Sequence, residues 1–127
     1  MSRPGEGPRP SRILITEEAL RARVAELGRA IARDYEHETP VLVGVLKGAL
    51  VFMADLIRVT PIALTTDFMA LSSYGAGTRS SGEVRLASDL SMPVEGRHVI
   101  LVEDIIDTGR TAAYLTRHLA ARCPRSV

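Results

Sequence analysis

Apolar residues recur along this chain with two different spacings. Leu20, Val24, Leu27 and Ile31 stand three to four positions apart with Arg and Glu between them, which predicts an amphipathic helix reaching about Asp34. Thr16 followed by Glu17 and Glu18 supplies its start, a hydroxyl cap before an acidic first turn. After Pro40, residues 41–46 read Val-Leu-Val-Gly-Val-Leu, a continuous apolar run of the kind found in strands buried on both faces. Gly48 breaks that run, and Leu50, Met53, Ala54 and Ile57 return to helical spacing. A second strand is expected from Pro61 through about Phe68, a short one over residues 84–87, and a third buried strand at residues 99–102, Val-Ile-Leu-Val. Thr108 or Gly109 then opens a helix carrying Ala112, Leu115 and Leu119, with Pro124 beyond its end. Strands that alternate with helices and are apolar throughout predict an α/β fold around a mainly parallel sheet flanked by helices. In such sheets ligands bind beyond the carboxyl ends of the strands.

Two stretches fall outside this pattern. Residues 1–12 hold three of the seven prolines together with Gly5 and Gly7 and are expected to be a flexible leader to a domain spanning residues 13–127. Residues 72–82, Ser-Ser-Tyr-Gly-Ala-Gly-Thr-Arg-Ser-Ser-Gly, are small, polar and glycine-rich, and long for a connection inside a compact domain. A plain hairpin tip and a functional lid both answer to that composition.

Composition narrows the class. A chain of 127 residues has room for one core. Its 16 Lys and Arg against 15 Asp and Glu leave a formal charge of +1, without the basic stripe that nucleic-acid binding requires. No apolar run approaches the roughly 18–20 residues of a membrane span, and the polar start lacks a secretory core. The single cysteine, Cys123, excludes an internal disulfide framework and a clustered-thiolate zinc site. His37, His98 and His118 share no metal-ligand spacing. A cytoplasmic globular domain, with neither membrane nor nucleic acid as partner, is the class that survives. All the cationic residues but one are arginine, and the exception is Lys47, directly after the first strand.

The chemistry concentrates behind the third buried strand. Residues 103–111, Glu-Asp-Ile-Ile-Asp-Thr-Gly-Arg-Thr, place three carboxylates within five positions and then a turn rich in hydroxyl and glycine that opens a helix. Free amides at a helix amino terminus, the Thr108 and Thr111 hydroxyls and a glycine permitting close approach suit a phosphate dianion. Glu103 and Asp104 cannot bind phosphate. Acceptor-only carboxylates require donors or hard cations, meaning sugar hydroxyls or magnesium. A ligand with a phosphate at one end and a diol with metal nearby satisfies both, which describes a ribose 5-phosphate derivative.

Residues 102–111, Val-Glu-Asp-Ile-Ile-Asp-Thr-Gly-Arg-Thr, resemble the phosphoribosyl-diphosphate signature of the type I phosphoribosyltransferases. Residues 43–49 with 52–56, and residues 67–70 with 72–75, narrow the resemblance to the hypoxanthine-guanine branch in its bacterial form, over all but the leader. The resemblance implies the Rossmann-like core of that family. It also implies a reaction in purine salvage: hypoxanthine or guanine joins 5-phosphoribosyl 1-diphosphate, giving IMP or GMP plus diphosphate, with Mg2+ as cofactor. By the same resemblance Lys47 and Gly48 meet the leaving diphosphate, often through a non-proline cis peptide. Glu103 and Asp104 hold the ribose hydroxyls and the associated magnesium, and Asp107 is the general acid/base at the purine N7. Asp107, Thr108, Gly109, Arg110 and Thr111 cradle the 5-phosphate, and Ser73 and Tyr74 lie in the lid. Family members continue past the position of Val127 into a further core strand and a base-binding hood, so the expectation is a C-terminally truncated chain, homo-oligomeric when full length. Two rival readings follow from the same residues: a non-catalytic remnant that binds phosphoribosyl diphosphate, and a regulatory nucleotide- or RNA-binding protein on the same scaffold. Asp107 and the lack of a basic stripe weigh against the second.

Overall fold

Buried strands and half-buried helices sort this chain into two layers of helix around one sheet. The computed structural model describes residues 7–8, 10–73 and 84–127. The order is α1 (Glu17–Asp34), β1 (Val41–Leu46), α2 (Leu50–Arg58), β2 (Thr65–Ser73), β3 (Val84–Ser88), β4 (Val99–Val102) and α3 (Arg110–Ala120). Thr16 caps α1 by accepting the Ala19 amide at 3.1 Å. The sheet runs β3-β2-β1-β4. β1 is parallel to both neighbours, and β3 is antiparallel to β2 at the far edge. The expected mainly parallel α/β architecture is therefore the one observed.

β1 is the axis of the core, and its alternation divides the interior. Val41, Val43 and Val45 pack with Met69, Val94, Val99 and the two leucines of α3, Leu115 and Leu119. Leu42 packs on the opposite face with Ala49, Met53, Leu56 and Val102, backed by Val24, Leu27 and Ile31 of α1. The continuous apolar run is thus covered on both sides, α1 and α2 on one and α3 on the other. Among the described residues no helix is long and apolar enough to cross a membrane.

Two expected boundaries differ. β2 begins at Thr65, not Pro61: Ile62 N–H donates to Thr60 O at 2.9 Å in a tight turn, and the strand starts where Thr65 comes opposite Val41. It also runs on to Ser73, so Ser72 and Ser73, read as the start of the loop, pair with Arg85 and Val84 instead. Small polar residues carry a strand there because the ladder is made by backbone groups alone. Tyr74 and the rest of the expected lid lie outside the described residues.

The β3–β4 connection is fastened by two carboxylates. Asp67 of β2, 5% exposed, accepts from the amides of Phe68, Ser91 and Met92 and from the Ser91 hydroxyl, at 2.8–3.2 Å. Asp89 accepts from the Leu90 amide at 2.7 Å and from the Arg122 guanidinium beyond α3. His118 Nε2 stands 3.4 Å from the same carboxylate. Past α3, Arg125 N–H donates to Arg97 O at 2.8 Å and Val99 N–H to Ser126 O at 3.0 Å, so the end of the chain lies along the outer edge of β4.

Candidate functional site

Parallel pairing fixes where the site stands. Leu42, Val43 and Gly44 lie opposite Ile100, Leu101 and Val102, so β1 and β4 end side by side and release Lys47–Gly48 and Glu103–Asp104 at one edge of the sheet. The helices that follow the two strands lie on opposite faces. A crevice opens at such a point, where successive connections part to different sides.

The turn after β4 is a ready anion seat. Gly109 adopts φ +82°, a left-handed conformation that a β-carbon would strain, and forms the N-cap of α3 without a side chain of its own. The Thr108 hydroxyl accepts from the Arg110 amide at 3.3 Å. The amides of Thr108, Gly109, Thr111 and Ala112 donate to no protein acceptor among the described residues. Four unsatisfied N–H groups at the positive end of an 11-residue helix favour a bound anion. They border a depression of about 150 Å3 whose walls include Glu103, Asp107, Thr108, Gly109 and Thr111. Five of the expected site residues are thereby brought to one place.

The two carboxyls of the acidic pair lie within hydrogen-bonding reach of each other but border different places. Glu103 lines the depression with the turn. Asp104 stands instead against Gly48, its Oδ2 occupying the space that a β-carbon on residue 48 would take. Both carboxylates also accept from the backbone ahead of them: Asp104 N–H donates to Glu103 Oε1 at 3.0 Å, and Ile105 N–H to Asp104 Oδ1 at 2.6 Å. Partial burial pushes the Glu103 carboxyl above its ordinary value, and the charge of Asp104 adds to that. The Ile105 amide, with Glu103 beside it, holds the Asp104 carboxyl below its ordinary value. As pH falls, Glu103 therefore takes up a proton before Asp104 does.

Lys47 is exposed at the same edge and forms no ion pair with a described residue, and the Leu46–Lys47 peptide bond is cis, as the resemblance implies. Ser73 enters only as the last residue of β2. Arg110 departs from its expected place: its amide belongs to the turn, but its side chain lines a separate hollow of about 260 Å3 with Ala113, Tyr114 and Arg117. The reason is helical spacing, since positions 110, 113, 114 and 117 share one face of α3. Ile105 and Ile106 are the contribution that residue-by-residue reading passed over. Both line the depression, 77% and 70% exposed. Two large aliphatic side chains set in solvent between carboxylates are the signal that could have found them.

Among the described residues no three His, Cys, Asp or Glu side chains converge to hold a metal by themselves. The donor set at this edge is two carboxylates. That fits a magnesium ion, which is bound by one or two carboxylates and completes its shell with water and substrate phosphate oxygens.

Comparison with known proteins gives a consistent result. The phosphoribosyl transferase domain family matches residues 13–127. A bifunctional protein TilS/HprT of Listeria monocytogenes is 49% identical over 116 residues, 91% of this chain and 18% of that protein. The hypoxanthine-guanine phosphoribosyltransferase of Mycobacterium tuberculosis is 45% identical over 121 residues, 91% of this chain and 60% of its own length. A crystal structure of a hypoxanthine-guanine phosphoribosyltransferase from Bacillus anthracis superposes with a TM-score of 0.85 at 43% identity, over 94% of this chain and 70% of that one. The chain thus spans less than two thirds of the length of the first two of these relatives.

Proposed function

The chain belongs to the phosphoribosyltransferase family, in its hypoxanthine-guanine branch, and from that premise we propose that it binds 5-phosphoribosyl 1-diphosphate across the ends of β1 and β4 and transfers the phosphoribosyl group to hypoxanthine or guanine, releasing diphosphate. The observation that carries this reading is the division of the acidic pair. Glu103 shares a depression with the amide-lined turn, while Asp104 faces the Lys47–Gly48 loop. A pentose laid between them meets an anion seat at its 5-phosphate and a cationic loop at its C1 substituent.

Each residue then has a physical task. Amides of residues 108–112 fix the 5-phosphate and so place C1. Glu103 and Asp104 accept from the ribose hydroxyls and are the side chains to hold Mg2+, which when bound supplies positive charge to the departing diphosphate. Lys47 and the amide of Gly48 add charge and a donor on that same side. As the bond from C1 to diphosphate breaks, positive charge grows on the sugar, and the neighbouring carboxylates stabilise it. Asp107, on the wall of the depression, takes the proton that the attacking purine nitrogen gives up. Ile105 and Ile106 offer an apolar surface to the flat face of the base. Exclusion of water by the segment containing Ser73 and Tyr74 protects the activated ribose from hydrolysis. The domain spans residues 13–127 with residues 1–12 as a leader, and a cytoplasmic location and self-association of identical chains complete the proposal.

The test has two parts. Calorimetric titration with ribose 5-phosphate reads the seat, and nucleotide formation from phosphoribosyl diphosphate, Mg2+ and hypoxanthine reads the reaction. Saturable ribose 5-phosphate binding is expected, lost when Thr108 and Thr111 are replaced by proline. A chain that binds inorganic phosphate and ribose 5-phosphate no better than free solute overturns the reading. Binding without nucleotide restricts it to the ribose-phosphate half.

A further inference from the structure

We propose that Gly48 is a positioning residue for Asp104: by carrying no side chain it leaves open the space in which the Asp104 carboxylate lies, and so makes one metal- and diphosphate-binding edge out of two chain segments 56 positions apart. This rests on the functional reading above and adds to it a residue that acts through another.

Three observations carry it. A β-carbon at position 48 would overlap Asp104 Oδ2 and stand 2.8 Å from its Cγ. Real β-carbons do not approach other atoms so closely, so one group has to move. Next, glycine is not required here for its backbone. The positive-φ glycines among the described residues are Gly96 and Gly109, and Gly48 is not among them, so an L-residue fits the main chain and only its side chain objects. Finally, the group that would yield is the Asp104 carboxylate. Asp104 is exposed, and its carboxylate is the free end of a side chain held only by local contacts, the Ile105 amide and the neighbouring Glu103 carboxyl. Gly48→Ala therefore displaces a ligating group and leaves the sheet intact.

The function of the contact follows from what each side offers. Asp104 presents a carboxylate, and the 47–48 loop presents a lysine and free backbone. Held at van der Waals distance, they allow one cation to touch the carboxylate and a diphosphate oxygen together. Moved apart by a methyl group, they bind cation and diphosphate as separate events.

The experiment is a double-mutant cycle on the 127-residue chain, using Gly48→Ala, Asp104→Ala and both together. Inorganic diphosphate is titrated with and without Mg2+, and ribose 5-phosphate is titrated without metal. In the unmodified chain Mg2+ strengthens diphosphate binding. Gly48→Ala is expected to remove about tenfold of that gain, to leave ribose 5-phosphate binding unchanged, and to add less than about twofold once Asp104 is already alanine. Equal losses from Gly48→Ala in both backgrounds overturn the proposal, because the glycine then acts through its own amide; an undiminished Mg2+ gain overturns it too. The Ile105 amide gives a ligand-free readout, since its acceptor is the displaced carboxylate: Gly48→Ala shifts its NMR resonance and speeds its hydrogen exchange. An unmoved Ile105 amide overturns the steric claim whatever the ligands do. A moved amide in a chain that binds neither ligand overturns the functional reading alone.

Discussion

Two pairs of carboxylates in this protein have opposite fates. Asp67 and Asp89, which fasten the β3–β4 connection, are spent on protein donors, Asp67 alone accepting from three amides and a hydroxyl. Glu103 and Asp104, behind β4, each accept one neighbouring amide, meet each other, and otherwise face a depression or a glycine. Burial opposes ionisation of Asp67 and Asp89, but their donors outweigh it and hold both carboxyls low. At Glu103 burial, joined by the Asp104 carboxylate, outweighs the single amide donor and pushes the carboxyl up. The same functional group is a rivet where its lone pairs are filled and a site where they are not. Unspent acceptor capacity at a strand end, more than acidity itself, separates function from structure here.

The comparison breaks most visibly at the rivet. Asp67→Ala removes the buried carboxylate on which the amides of Phe68, Ser91 and Met92 converge, and is expected to cost about 2 kcal/mol of stability in urea denaturation. A loss under about 1 kcal/mol would show that solvent replaces those bonds and that Asp67 is no more committed than Glu103. The matching change at the site, Glu103→Gln, is expected to leave the denaturation midpoint unchanged or slightly raised, since it removes a desolvated charge beside Asp104. It should weaken ribose 5-phosphate binding about tenfold while inorganic phosphate binds as well or better. Equal weakening of both ligands would place Glu103 in the phosphate seat rather than against the sugar.

Acid titration is the finest measure. Asp67 and Asp89 ionise more readily folded than unfolded, so their contribution to stability is complete above the ordinary carboxyl value of 3.8 and is lost as pH falls through their lower folded values. Glu103 has the reverse sign. It holds its proton longer in the folded chain, so its contribution is complete below 4.5 and declines as pH rises through its folded value. Asp67→Asn should flatten the acid limb of stability against pH, and Glu103→Gln should flatten the limb above 4.5. Unaltered curves in both variants would dissolve the distinction.

How much of this could be read beforehand depended on distance along the chain. β1 was legible because five consecutive buried residues leave an unbroken apolar run, and α1 because Thr16 and its acidic first turn mark the start locally. The start of β2 was not, since it is set by Thr65 coming opposite Val41, a fact of pairing rather than of composition. Ser72 and Ser73 looked like loop because backbone pairing leaves no trace in side-chain polarity. At the site, residues 103–111 were legible as one contiguous motif, and the structure gathers most of them around one depression. The meeting of Gly48 with Asp104 was hidden, because it exists only once β1 and β4 lie side by side. The orientation of Arg110 was hidden as well, because its amide stands at the amino end of α3 while its side chain lines a hollow on the helix flank.

That last arrangement bears on what substitution there can reveal. The turn before α3 offers main-chain atoms, and the guanidinium of Arg110 looks elsewhere. Outside Gly109, an alanine scan across the turn would pass over most of its main-chain donors in silence, since each substituted residue still brings the same N–H. A change of side chain at position 110 therefore alters the outer flank of the helix and leaves the main-chain donors of the turn in place.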